Sequence, residues 1–263
     1  MTAEDYLKAG RLSDALQSLQ QAVRGNAADP KLRVFLFQLF CALGEWERAV
    51  NQLNVLASLG PETKMLAHVF QPVIQCELFR DKVFTGEHTP IIFGEPEEWM
   101  GLLIQANEMA AKGKYDAAAK VREQAFEAAP ASPGTLDGKP FEWIADADMR
   151  LGPMLEVVME GHYYWVPFCR IQRIHIEAPT DLRDLIWVPA QFVWVNGGEA
   201  SGHIPTRYPH TEKSSDDQLR LARKTEWTER DGLSIGLGQR ILATNDGEHP
   251  VLECRMIDLA PAT

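Results

Sequence analysis

Acidic side chains cluster in the segment "WIADADMRLGPMLE", which contains Asp146, Asp148 and Glu156. Carboxylates at this spacing are able to bind a cation, and two of them are able to act as general acid and general base. A structural interpretation competes with this one, because Asp148 can pair with Arg150 or cap a turn. We predict the structural role and keep a metal-dependent hydrolase-like enzyme using these three acids as the alternative.

Histidine and cysteine offer a second set of reactive groups, in and immediately before an aromatic stretch that runs from Tyr163 to Gly197. His162, Cys169 and His175 are spaced by seven and six residues, which matches no common zinc motif. The four cysteines contain no C-x-x-C pair, and no phosphate-binding, dinucleotide or nucleophile-elbow motif occurs. The sequence therefore predicts no catalytic residue, no metal ligand and no cofactor.

Composition restricts the classes of partner. The formal net charge is −11 and apolar residues make up 45% of the chain. Both halves carry more acidic than basic residues, which disfavours nucleic acid as a partner because phosphate binding requires a surplus of Lys and Arg. No apolar run approaches the ~20 residues of a membrane span, and the first residues lack a secretory signal, so we expect a cytoplasmic protein.

Three short units recur in the first half of the chain. "AGRLSDA", "LGEWERA" and "KGKYDAA" place glycine at positions 10, 44 and 113, and the first two glycines are 34 residues apart. This period predicts tetratricopeptide-like repeats of two antiparallel helices each. Three prolines follow the units, and each is predicted to end the second helix of its unit: Pro30, Pro61 and Pro130. A further proline, Pro72, is expected to kink a helix or start a new turn.

Patterning changes after "APASPGTLDGKP", which is the predicted boundary between the halves. Apolar and polar residues alternate in "QRIHIEA", and "LIWVPAQFVWVNGG" is a run of β-branched and aromatic residues. Both patterns are typical of strands. We therefore predict an α+β fold with a helical-repeat domain at residues 1–130 and a small β-rich domain at residues 140–263. The aromatic stretch is expected to fill the core of that second domain.

Several pieces of the chain, taken in order, resemble a known family. They are "FEWIADADMRLGPMLEV", "YYWVPF", "PTDLRDLIWVPA", "RYP", "GQRIL" and "PVLECR", preceded by the repeats that begin with "AGRLSDAL". Together they are similar to the ImpE/SciE-type family, the TagJ accessory proteins of bacterial type VI secretion systems. The resemblance covers nearly the whole chain. One departure is His210, which stands where the family pattern has a small residue.

The resemblance implies a non-enzymatic accessory protein of the secretion machinery. It implies binding to the N-terminal helix of the small contractile-sheath subunit, TssB, and an indirect link to sheath recycling by the AAA+ ATPase ClpV. A generic peptide-binding repeat protein outside secretion is the alternative that the repeats alone allow.

The resemblance supplies no binding residues, so candidates come from the physics of helix recognition. An amphipathic helix docks through apolar anchors into a groove, and "KLRVFLFQLF" is apolar nearly all round. Its candidate groove residues are Phe35, Phe37, Gln38 and Phe40. A second set lies in the family-like pieces and is expected to form either a buried polar network or a second binding surface: Arg150, Arg183, Asp184, Arg207 and Tyr208.

Overall fold

The first half of the chain is helical. The structure is a computed structural model that describes residues 1–260. Within these residues, seven α-helices lie in the first half of the chain and an eighth, short one lies among the later strands: α1 (Ala3–Lys8), α2 (Leu12–Gly25), α3 (Pro30–Leu43), α4 (Trp46–Leu56), α5 (Pro61–Phe84), α6 (Glu98–Ala111), α7 (Tyr115–Ala128) and α8 (Asp217–Arg220). None of these helices is both long enough and apolar enough to cross a membrane.

The predicted repeats are confirmed as helical hairpins. α1 packs on α2, α3 on α4 and α6 on α7. Gly10, Gly44 and Gly113 lie in the turns between the paired helices with φ of 70°, 72° and 75°. A side chain is strained in this left-handed conformation, which explains why glycine recurs there.

The prolines have a different role from the predicted one at two positions. Pro30 and Pro61 are the first residues of α3 and α5, whereas the helices before them end at Gly25 and Leu56. Proline suits this position because the first helical N–H needs no partner within the helix. The helix also runs on through Pro72, so no new helix starts there.

The second half forms strands, joined by one short strand from the helical half. They are β1 (Ile91–Ile92), β2 (Gly134–Leu136), β3 (Lys139–Phe141), β4 (Ile144–Asp146), β5 (Met154–Met159), β6 (His162–Pro167), β7 (Ile171–Ile176), β8 (Trp187–Trp194), β9 (Glu199–Pro205), β10 (Thr225–Arg230), β11 (Leu233–Gly238), β12 (Ile241–Thr244), β13 (Gly247–Pro250) and β14 (Met256–Leu259). The α+β class predicted from the sequence is confirmed.

These strands make three sheets. The largest has the order β1-β6-β5-β9-β8-β7-β14-β2-β3, and smaller sheets have the orders β13-β12-β4 and β10-β11. β1 lies between α5 and α6, and it pairs in parallel with β6 through Ile91–Tyr164 and Ile92–Trp165. The sheet therefore takes an edge strand from the helical half.

The aromatic stretch is divided between two cores. Tyr163, Trp165 and Trp187 lie in one core together with residues of α2 to α6. Phe192 and Trp194 lie in a second core inside the β-rich half. Alternate residues of a strand point to opposite faces, so a single aromatic run serves both faces of the large sheet. The expectation that this stretch fills only the β-domain core is wrong.

Candidate functional site

Glu156, one of the predicted acids, lies on β5 and is fully buried. Arg80 from α5 donates from Nε to Oε1 at 2.6 Å and from Nη2 to Oε2 at 2.9 Å. Arg240 donates to Oε2, and the hydroxyl of Tyr163 donates to Oε1. Both carboxylate oxygens are therefore saturated by protein donors.

Asp146 and Asp148 are held in the same way. Arg240 and the hydroxyl of Tyr208 both donate to Asp146, the hydroxyl at 3.0 Å. Arg150 donates to Asp148 from Nε at 2.9 Å and from Nη2 at 2.6 Å. Among residues 1–260, no group of three or more His, Cys, Asp or Glu side chains is placed to hold a metal ion. The three predicted acids belong to a buried ion-pair network.

Burial and the neighbouring arginine charges have opposite effects on the pKa values of the carboxyl groups in this network. Burial alone would raise the pKa of Glu156, but the guanidinium groups of Arg80 and Arg240 lower that pKa to about 2. Burial raises the pKa of Asp146 to about 6, against the lowering effect of Arg240. A carboxylate packed between two arginines is stabilised as the anion, so Glu156 is the central negative charge of the network.

The network joins the helical half to the β-rich half. Arg80 Nη2 also donates to the carbonyl of Arg207 at 2.9 Å. Arg207 in turn donates from Nη1 to the carbonyl of Ala42 at 2.8 Å and from Nη2 to that of Cys41 at 3.3 Å. These carbonyls belong to the last turn of α3, where free carbonyl groups and the helix dipole favour a cation.

The second predicted polar set is therefore not a single surface. Arg150, Arg207 and Tyr208 are buried in or beside the ion-pair network. Asp184 is buried elsewhere, where it accepts hydrogen bonds from the backbone N–H of Thr180 at 2.7 Å and from its hydroxyl at 3.0 Å. Arg183 is half-buried and pairs with Asp181, with its guanidinium 4.9 Å from the centre of the Phe70 ring.

The predicted groove on α3 needs a correction. Phe37, Gln38 and Phe40 are only 0%, 6% and 2% exposed, and Phe35 is half-buried. The Phe37 ring packs against that of Phe70 on α5 at 5.8 Å between centroids. The segment is apolar all round because it is covered nearly all round, which is typical of a helix inside a core. It presents no open groove to a partner.

A different surface has the shape that recognition of a helix requires. Three adjoining concavities of about 800, 500 and 480 Å³ cross the outer face of α5, from α4 on one side to the large sheet on the other. The first and second share Val50 and Gln75, and the second and third share His68, Pro72 and Gly161. We call this continuous surface the α5 groove.

Apolar side chains are exposed on and beside the α5 groove. Val69 lines its sheet end and Leu78 its α4 end, and each is 39% exposed. Met65 precedes Val69 by one helical turn and is 64% exposed. Exposed apolar residues gathered at concavities mark contact sites for other proteins. Sequence reasoning missed this surface because α5 shows only a weak division into polar and apolar faces.

His210 lies where the helical half meets the loop after β9. Its backbone is left-handed, with φ of 69°, which explains why a small residue suits this position. Its Nε2 lies 3.2 Å from Asp81 Oδ1 without hydrogen-bond geometry. Burial, followed by the positive charges of Lys213, Arg150 and Arg80, lowers the pKa of His210 to about 4.

The low pKa of His210 predicts a pH effect on stability. The unfolded chain binds a proton near pH 6.5 and the folded chain only near pH 4, so His210 reduces stability as pH falls from about 7 to 5. We expect His210→Asn, which tolerates the left-handed backbone and does not titrate, to flatten the decline of the urea midpoint over this range. His175→Asn is the matched control, and an unchanged slope in His210→Asn would contradict this assignment.

Comparison with known proteins places these features in a family. A model of the family described as ImpE protein matches residues 138–258, and a tetratricopeptide repeat model matches residues 6–67. The chain is 46% identical to a type VI secretion system accessory component, TagJ, of Pseudomonas aeruginosa, over 99% of the chain and 92% of that protein. The crystal structure of protein VPA1032 from Vibrio parahaemolyticus superposes with a TM-score of 0.89 at 26% identity, covering 98% and 97% of the two chains.

Proposed function

This chain belongs to the ImpE family, and from that premise we propose that it is an accessory component of a type VI secretion system. We further propose that it acts by binding, without chemistry of its own. The sequence candidates for catalysis, Asp146, Asp148 and Glu156, are saturated by arginine and tyrosine donors, which supports a binding role.

We propose the N-terminal helix of the small sheath subunit, TssB, as the bound segment, with an indirect link to recycling by ClpV. The family resemblance supplies this partner, and the α5 groove supplies a surface that suits it. Helix-in-groove recognition uses apolar anchors about one helical turn apart on the partner. The single observation that carries the proposal is the continuity of three concavities, with exposed apolar residues at both ends.

The first test is calorimetric titration of the whole protein with a synthetic peptide of that sheath helix. We expect saturable 1:1 binding by the unaltered protein. In Val69→Lys and Leu78→Glu we expect affinity to fall by about 10-fold or more, because each change places a charge where the partner's apolar face packs. Both residues are 39% exposed, so circular dichroism should show an unchanged fold.

Matched controls separate this groove from the rest of the surface. Val195→Glu changes a 53% exposed valine in the segment after β8, outside the α5 groove, and should leave binding intact. A scrambled peptide should not bind, which separates recognition of the sheath helix from generic peptide binding. Equal losses in all three variants would argue against the groove, and no binding to the unaltered protein would overturn the proposed partner.

A further inference from the structure

The sheet end of the α5 groove is chemically distinct from the rest of that groove. We call it the sheet-end cup: the concavity of about 480 Å³ between Pro72 on α5 and Pro189 on β8. Its walls include the apolar side chains of Val73 and Met159. Its rim carries two acidic residues, Glu160 and Glu177. The cup therefore combines an apolar wall with a negative rim.

Local backbone structure opens the cup. β5 and β9 are paired only at Val158 and His203. Next to this pair, a Cβ on Gly202 would lie 2.7 Å from the carbonyl oxygen of Val158, so only glycine fits there. The two strands thus approach closely while leaving no side chain at position 202, and space remains beside Met159.

The negative charge of the rim is not compensated within the protein. Over residues 1–260, the carboxylates of Glu160 and Glu177 form no ion pair and accept no hydrogen bond at the distances that define them. No lysine or arginine is among the residues that line the cup. His203 supplies no cation at neutral pH, because burial lowers its pKa. The α4 end, by contrast, holds a basic residue, Arg48, which pairs with Glu45, so that of the two acids lining that end only Glu47 forms no ion pair within residues 1–260.

From this asymmetry we infer that the sheet-end cup receives a lysine or arginine side chain of the helix bound in the α5 groove. The aliphatic stem of such a residue would pack on Pro72 and Met159, and its charged end would lie at Glu160 and Glu177. Long basic side chains combine an apolar stem with a charged tip, which matches a cup of this construction. The inference rests on the proposed function for the existence of a bound helix, and it adds the chemistry of one anchor.

The charge of the rim can be removed without changing its shape. We expect the double variant Glu160→Gln/Glu177→Gln to bind the sheath helix about 3- to 10-fold more weakly at low salt and to show a smaller salt dependence. Glu123→Gln/Glu127→Gln on α7 is the matched control, since both residues are exposed and lie outside the cup. It should bind as the unaltered protein does.

A second probe separates this inference from the proposed partner. It is a designed helical peptide with a leucine stripe and one central lysine, compared with the same peptide carrying glutamine instead. The lysine peptide should bind more tightly to the unaltered protein, and the difference should vanish in Glu160→Gln/Glu177→Gln. If the sheath peptide does not bind but the lysine preference depends on Glu160 and Glu177, the proposed partner is wrong and the inference about the sheet-end cup is supported.

Two outcomes would overturn the inference that the sheet-end cup receives a basic side chain. The first is sheath-helix binding that is equal in the rim variant, in the control and at all salt concentrations, which would leave the proposed function in place. The second is that neither peptide shows a preference that depends on Glu160 and Glu177, including the case in which neither peptide binds.

Discussion

Replacing Glu156 by glutamine is expected to lower the free energy of unfolding by about 3–5 kcal/mol, because Arg80 and Arg240 lose the buried carboxylate that they share. Glutamine keeps the volume of the side chain, but its amide NH2 donates where a carboxylate oxygen accepted, so the variant loses the charge together with hydrogen bonds from the surrounding donors. Arg80 and Arg240 are 3% and 0% exposed and would face each other across a neutral group. Urea denaturation followed by tryptophan fluorescence measures the effect.

The control for this prediction is an exposed ion pair of the same chemistry. Asp258 pairs with Arg173, and their side chains are 40% and 56% exposed. Solvent and salt screen such a pair, so Asp258→Asn should cost less than about 1 kcal/mol. Similar losses in Glu156→Gln and Asp258→Asn would show that the buried network contributes no more than a surface pair.

Phe37→Glu is expected to prevent folding of the protein. The side chain is fully buried against Phe70, so the variant loses an aromatic packing contact and places a carboxylate in the apolar core. Loss of a large aromatic residue alone costs about 3–5 kcal/mol, and the buried charge adds to this. Circular dichroism and the thermal midpoint of the purified variant measure the outcome.

Leu78→Glu provides the comparison, since it places the same charge on the exposed face of α5. Its thermal midpoint should stay near that of the unaltered protein. A folded Phe37→Glu variant with weakened partner binding would restore the α3 groove that the sequence predicts. An unfolded Phe37→Glu beside a folded, non-binding Leu78→Glu would locate recognition on α5.

Local patterns predict local structure well in this chain. The glycines of the three hairpin turns need a left-handed backbone, and that need is visible from their spacing alone. The strand at "QRIHIEA" follows from alternation and is present as β7. The positions of Pro30 and Pro61 relative to their helices are harder to predict, because proline is found both after the end of one helix and at the first position of the next. Only the folded chain shows which role it has.

Long-range pairings explain what sequence reasoning missed at the site. Glu156 meets Arg80, which is 76 residues away, and Arg240, which is 84 residues away. No periodicity relates such positions, so a cluster of acids resembles a catalytic site until its arginines are found. The α5 groove has the same origin, since its sheet end is formed by strands that lie far from α5 in the sequence.

The contact between α3 and the loop after β9 has a consequence for how proteins of this type can be recombined. Helical repeats are commonly exchangeable units, because each contacts only its neighbours. Here Gly44 lies against Glu212, where an added Cβ would be 2.8 Å from the Glu212 Cβ, and Arg207 holds the carbonyls at the end of α3. A repeat transplanted from another protein would keep a turn glycine, but its helix end would not be fitted to Arg207 and Glu212. We therefore expect a folded chimera only when the repeats and the sheet are exchanged together.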